Sequence, residues 1–203
     1  MSGNKGLLLV VSGPSGVGKG TVCKYLAENE TDIFLSVSAT SRKPREGEVD
    51  GQHYYFVTQQ KFDSMIENDE LLEYAKYISS SYGTPKKPCF ERLDKGDNVI
   101  LEIEVQGGTE VKEKFPETVM IFMVPPTMEI LRERLIGRGT ETEKVVEQRI
   151  KRAYEEFGYL DKYDYIVVND DVEKASERIK AIICAEKQKM QRTAENIKKE
   201  LKI

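Results

Sequence analysis

The feature that most constrains this chain is a glycine-rich turn set between an apolar run and an amphipathic segment. Gly13-Pro14-Ser15-Gly16-Val17-Gly18-Lys19-Gly20-Thr21 follows Leu7–Val11 and opens a stretch of helical spacing from about Lys19 to Asn29. An uninterrupted apolar run bounded by Ser-Gly-Pro reads as a strand buried on both faces, the habit of parallel sheets covered by helices. At its carboxyl end Gly13, Gly16 and Gly18 give the chain room and φ freedom, so that successive backbone N–H groups can curl around an anion. The helix that follows turns the positive end of its dipole to the same point. Lys19 adds a point charge.

Strand, glycine-rich turn, lysine and helix in this order read as a P-loop, with residues 13–21 cradling phosphates and Lys19 placed for the β- and γ-phosphates. The usual pattern ends Lys-Ser/Thr, whereas Gly20 follows Lys19 here and the hydroxyl comes one place later, at Thr21. Mg²⁺ is accordingly expected on the phosphates of a bound nucleotide near Thr21, held by phosphate oxygens and water, with no direct protein ligand assigned.

Apolar runs recur at Val99–Ile103, Val119–Val124 and Tyr165–Val168, each followed by helical spacing: about Gly107 to Lys114, Met128 to Ile136, and Val172 to the C-terminal end. Such alternation predicts an α/β fold with a doubly wound parallel sheet, its ligands beyond the carboxyl ends of the strands. Two stretches interrupt it. Residues 35–85 hold short alternating segments, Phe34–Ser38, Tyr54–Val57 and Leu71–Ala75, around one helical segment near Gln59 to Asn68, and read as a small inserted subdomain. Residues from about 127 to 160 are helical and carry Arg132, Arg134, Arg138, Arg149 and Arg152, with Gly137 and Gly139 as hinge points, and read as a basic lid. The expected organisation is one domain, with a core of about 1–34, 86–126 and 161–203.

The 31 Lys and Arg nearly cancel the 35 Asp and Glu, so no whole-molecule field draws the chain to nucleic acid or membrane, and any anionic ligand needs a local cluster. No apolar run approaches the roughly 18 residues of a membrane span. Cys23, Cys89 and Cys184 are far apart and lack metal-ligand spacing, as expected of reduced thiols in a cytoplasmic protein. Cys184 falls in an apolar helical stripe and is expected to pack inward.

The motifs together resemble those of guanylate kinases over nearly the whole length. Ser12 to Lys19, Ser36 to Gly51 with its Arg42-Lys-Pro-Arg45-Glu-Gly-Glu core, Tyr82-Gly-Thr84, Leu101 to Gly107, Arg134 to Gly139 and Val168-Asn169-Asp170 carry the likeness. The resemblance implies a P-loop NTPase-type fold with a monophosphate-binding insertion and a helical lid. It also implies transfer of the γ-phosphoryl group of ATP to GMP, giving ADP and GDP, with Mg²⁺ as cofactor. By the same resemblance Arg42, Arg45, Tyr54 and Tyr82 hold the GMP phosphate, and Ser38, Glu73, Thr84 and Glu104 read guanine. Lys19, Arg42, Arg134, Arg138 and Arg149 are the implied catalytic set, and Asn169 lies near the adenine of ATP.

Taken alone, Arg42 and Arg45 would be solvated loop charges, but Pro44 stiffens their spacing and two tyrosines follow, which favours a phosphate clamp. Glu73 alone would be an exposed strand residue. Arg132 shares its helix with Glu129 and Glu133 and is expected to serve in surface ion pairs rather than chemistry. The partners expected are ATP and GMP, with dGMP a further candidate. Alternatives are a kinase for another nucleoside monophosphate, or a guanylate-kinase-like module that binds peptides without catalysis.

Overall fold

A computed structural model describes residues 5–77, 80–137 and 143–203. Five parallel strands form the central sheet: β1 (Leu8–Ser12), β2 (Ile33–Leu35), β7 (Asn98–Glu102), β8 (Val119–Val124) and β9 (Tyr165–Val168), in the order β2-β7-β1-β8-β9. β1 lies at the centre and is buried at every position. Its side chains alternate between two cores, as a period of two requires. Leu9 and Val11 meet Val22, Cys23 and Leu26 of helix α1 (Lys19–Asn29) and Ile179 and Ile183 of α7 (Val172–Lys187). Leu8 and Val10 face the other way, toward Cys89 and Leu93 of α3 (Lys86–Asp94) and Val111 of α4 (Val105–Lys114). Burying each such side chain contributes roughly 1.5–3 kcal/mol, so the sheet is held from both faces.

A second, four-stranded sheet lies between β2 and β7 in the chain. It comprises β3 (Ala39–Thr40), β4 (Tyr55–Phe56), β5 (Leu71–Tyr77) and β6 (Ser80–Pro85), ordered β4-β3-β6-β5, with β5 and β6 antiparallel. Helix α2 (Gln59–Glu67) covers it with Phe62 and Met65, and Thr58 caps that helix by accepting a hydrogen bond from the Lys61 N–H. After β8 come α5 (Met128–Ile136) and α6 (Glu143–Phe157), joined by a core of Leu131, Leu135, Val146 and Ala153. Among the described residues no helix is long and apolar enough to cross a membrane.

Four expectations need correction. Phe34–Ser38 does not lie wholly in the insertion, because Ile33–Leu35 is the edge strand of the central sheet, in parallel register with Asn98–Ile100. β9 is apolar but forms the opposite edge, and Ile166 is 58% exposed where a doubly buried strand was expected. Cys184 is exposed on α7, while Cys23 and Cys89 are buried. The single C-terminal helix is two: α7 ends at Lys187, and α8 (Met190–Leu201) begins after an extended Lys189, with no Gly or Pro marking the break.

Candidate functional site

All five central strands are parallel, so their carboxyl ends meet on one side. Gly13 follows β1, Glu102 and Glu104 end or follow β7, and Asn169 follows β9. The P-loop runs from Gly13 into α1. Gly13, Gly16 and Gly18 all take positive φ, at 142°, 88° and 95°. A Cβ on Gly13 would lie 2.2 Å from the Met123 carbonyl oxygen, so at this position the neighbouring strand as well as the φ excludes any side chain. Lys19 Nζ donates to the carbonyls of Gly13 (2.5 Å) and Pro14 (3.2 Å), folding over the loop it serves. Burial lowers the Lys19 pKa, and Glu102 pulls it back upward.

The loop is propped from below and above. Asn169, buried, donates from Nδ2 to the Val17 carbonyl at 2.8 Å. Arg134 on α5 donates to the carbonyls of Val17 and Asn169 at 3.2 and 2.9 Å. Arg149 on α6 donates to Ser15 Oγ at 2.6 Å. Arg132 turns away and pairs with Glu147 on α6, across the helix pair rather than along its own helix. Arg138 lies outside the described residues.

One helical turn from Arg149, Arg152 reaches Glu104 Oε2 at 2.9 Å and Glu156 Oε1 at 3.2 Å. Residues three apart share a helix face, so α6 brings a P-loop contact and a Glu104 contact within one turn of each other. The spacing of Arg149 and Arg152 was readable in the sequence, but their partners lie 134 and 48 positions away. Burial raises the pKa of Glu156, whose Oε2 is buried without a partner among the described residues.

The small sheet supplies the other half. Arg42 makes a bidentate pair with Glu48, both distances 2.6 Å, and stands over the rings of Tyr54 and Phe56 at 5.1 and 5.5 Å. Glu48 also accepts the Arg45 backbone N–H at 2.7 Å, while the Arg45 side chain is exposed. The Arg42 hydrogen bonds and the Arg45 amide hold the Glu48 carboxyl down at about 2. Tyr54 packs edge-on against Tyr82 at 6.0 Å. Glu48 closes the Arg-x-Pro-Arg-x-Gly-Glu segment, yet its part in holding both arginines was not read from the sequence.

Glu73, on β5, is buried and accepts a hydrogen bond from Thr84 Oγ1 at 2.7 Å. Burial raises its pKa, and the Thr84 hydroxyl opposes that rise. A Cβ on Gly107, in the first turn of α4, would stand 3.0 Å from Glu73 Oε2, so the carboxylate lies against the positive end of that helix. Ser38 is half-buried, its carbonyl accepting the Tyr55 N–H. The surface hollows lined by Glu28, Phe34 and Arg92, and by Lys112, Asp164 and Arg192, include no P-loop residue.

A family profile described as guanylate kinase matches residues 5–186. The chain belongs to the guanylate kinase family. The guanylate kinase of Caldanaerobacter subterraneus subsp. tengcongensis is 55% identical over 188 residues, covering 93% of this chain and 91% of that protein. That of Halalkalibacterium halodurans is 54% identical over 195 residues, 96% of each. The crystal structure of guanylate kinase from Anaplasma phagocytophilum superposes with a TM-score of 0.78 at 34% identity, over all of this chain and 99% of that one. The guanylate kinase fold therefore accounts for the whole molecule, the small mixed sheet included.

Proposed function

We infer that this chain transfers the γ-phosphoryl group of ATP to GMP, forming ADP and GDP. The observation that carries the reading is α6, which touches the P-loop through Arg149 and Ser15 and, one turn on, meets Glu104 through Arg152. Donor and acceptor sides are thereby brought within the reach of one helix face.

In this reading residues 13–21 hold the phosphates of ATP, Lys19 meets the β- and γ-phosphates, and Asn169 lies toward the adenine. Arg42, Arg45, Tyr54 and Tyr82 receive the phosphate of GMP. Ser38, Glu73, Thr84 and Glu104 read guanine, whose N1–H and N2 amino group are adjacent donors suited to an ionised carboxylate. Residues 36–85 form the acceptor unit and 127–160 a cover over the phosphates, with Arg134, Arg138 and Arg149 as its cations. The attacking atom is a phosphate oxygen already ionised near neutral pH, so no side chain needs to remove a proton. Catalysis is alignment and charge neutralisation by Lys19 and the arginines. Mg²⁺ bound with ATP supplies further neutralisation of phosphate charge. The substrates are free nucleotides, and the buried thiols of Cys23 and Cys89 suit a reducing cytoplasm.

The test is a coupled assay for ADP release with ATP and Mg²⁺ across GMP, dGMP, AMP and UMP. GMP should exceed AMP by at least about 10³-fold in kcat/KM, the scale set by leaving buried polar groups unpaired. Comparable rates with AMP, or none with any monophosphate, would overturn the reading.

A further inference from the structure

Side chains along a regular strand alternate, which would put Leu71 and Glu73 on one face of β5 and Leu72 on the other. All three are buried, but in a different arrangement. Leu71 packs with Phe62 and Met65 under α2, whereas Leu72 joins Val111 of α4 in the central core and Glu73 stands against Gly107 of the same helix. The ladder supplies the cause. Leu71 pairs with Pro85 but Tyr74 pairs with Gly83, so three steps along β5 answer two along β6. The extra residue is a β-bulge, which interrupts the ladder and re-aims the side chains it carries. Backbone groups at such an interruption need partners from elsewhere. The Leu72 carbonyl has one outside the sheet: Lys114 Nζ, in the last turn of α4, donates to it at 3.1 Å. Gly107 and Lys114 lie roughly two turns apart on one face of α4. A single helix therefore meets the Glu73 carboxylate near its start and the Leu72 carbonyl at its end.

We propose that Lys114 is a positioning residue for guanine recognition: by holding the Leu72 carbonyl it locks the bulge that aims Glu73 into the acceptor site. The proposal rests on Glu73 reading guanine. Lys114 acts through β5 and is not itself a contact of the base. Electrostatics work in the same direction as the geometry. Burial is the largest influence on the Glu73 carboxyl and opposes its ionisation. From β6 the Thr84 hydroxyl and N–H favour the ionised form, and on α4 Glu110 opposes it while Lys114 favours it. The lysine serves the carboxylate twice, by aim and by charge. Asp69 also feels Lys114, but it has an ion-pair partner of its own in Lys86.

The test is the coupled assay on the full chain with GMP and IMP. Lys114→Met keeps an unbranched side chain but loses the donor and the charge. KM for GMP should rise about tenfold with kcat nearly unchanged, the scale of a hydrogen bond from a charged donor. The preference for GMP over IMP should fall at least about threefold, because the N2 amino group then meets a displaced carboxylate. The acid limb of kcat/KM, which reports the free enzyme, should move to higher pH in Lys114→Met and to lower pH in Glu110→Gln. The phosphate of GMP titrates alike in every variant and drops out of the comparison. Lys114→Arg, which keeps donor and charge, should stay within about threefold of the parent. In a Glu73→Gln background, Lys114→Met should change kcat/KM for GMP by less than about threefold. A lysine that only steadied the fold would lower the melting temperature and leave KM, the GMP preference and the acid limb in place. That result, or equal losses with and without Glu73, would overturn the proposal. If Glu73→Gln used GMP as well as the parent, the guanine-reading role would fall and this inference with it. If Glu73→Gln lost GMP while Lys114→Met did not, only this inference would fall.

Discussion

The central sheet and the small sheet build their halves of the site by different means. On the central sheet the surface proposed to bind phosphate is backbone: positive-φ glycines shape the loop, and side chains prop it. Gly13 is wedged against Met123, Gly18 against Asn169, and Gly16 against Leu135. On the small sheet the groups proposed to bind GMP are side chains held by one another, Arg42 by Glu48 and Glu73 by Thr84. A loop made of backbone is tied to the core behind it, so a change there threatens the fold. A site made of paired side chains can be altered while its sheet survives. The contrast predicts that acceptor-side substitutions change selectivity and affinity, and donor-side ones change rate or folding.

The largest effect should come from Glu73→Gln. Glutamine keeps the shape but points a donor at a guanine donor. kcat/KM for GMP should fall on the order of 10⁴-fold, as when a buried polar group loses its partner. The value for AMP should change far less. Assays with GMP, AMP and IMP in both proteins decide it, IMP keeping N1–H but lacking the N2 amino group. If GMP were used as well as before, Glu73 would be an ordinary strand glutamate and the small sheet would read the base through Ser38, Thr84 and Glu104.

Next is Lys19→Met. In the proposed reaction the lysine answers charge that develops on the transferring phosphoryl group, so kcat should drop on the order of 10²–10³-fold. Among the described residues its hydrogen bonds go to two loop carbonyls, and burial already disfavours its charge, so the melting temperature should stay close to the parent's. Parental turnover in a folded variant would remove Lys19 from the chemistry. Unfolding would show that the lysine belongs to the loop's scaffold.

The same contrast explains what was legible in the sequence. α1 and α5 have the expected limits, because apolar periodicity and the P-loop glycines are local signals. β2 was misassigned because three residues carry no period, and its membership of the sheet is decided by pairing with Asn98–Ile100, some 65 positions on. α3 was missed: it begins Lys-Lys-Pro, and Pro88 is tolerated only because first-turn N–H groups have no intrahelical partner anyway. On the acceptor side the residues were named by resemblance, but the pairs that hold them were not. The Arg42–Glu48 pair spans six positions and was readable in principle, whereas Arg152–Glu104 exists only once α6 crosses to the end of β7.

A smaller effect separates binding from rate at Arg42. Glu48→Gln removes the charge that fixes the guanidinium and weakens the anchor of the Arg45 amide. KM for GMP should rise about tenfold, with kcat nearly unchanged. Because the Glu48 carboxyl sits at about 2, this pair should add no pH dependence near neutrality. An equal loss in kcat would mean that Arg42 acts on the transition state and that Glu48 positions it for that purpose.

The smallest effect is one of stability, and its sign runs against function. Burial raises the pKa of Glu73 above its ordinary value. Between that value and the raised one the folded chain binds more protons than the unfolded chain, so stability falls as pH rises through the window. At neutral pH the ionised carboxylate is therefore a stability cost, as the proposed guanine-reading role would require. Glu73→Gln removes the titration and can still accept the Thr84 hydroxyl through its amide oxygen. The unliganded variant should melt higher at pH 7, by about 2–4 °C for each kcal/mol relieved in a chain of this size. The advantage should vanish at a pH below about 4, where the parent's Glu73 is protonated in both states. Melting curves of both proteins from pH 3 to 8 test this, and their difference cancels the titrating groups that do not interact with Glu73. A variant that melted lower at pH 7 would mean that the first turn of α4 and Thr84 favour the ionised carboxylate more than burial penalises it, and that the acceptor site carries no such cost.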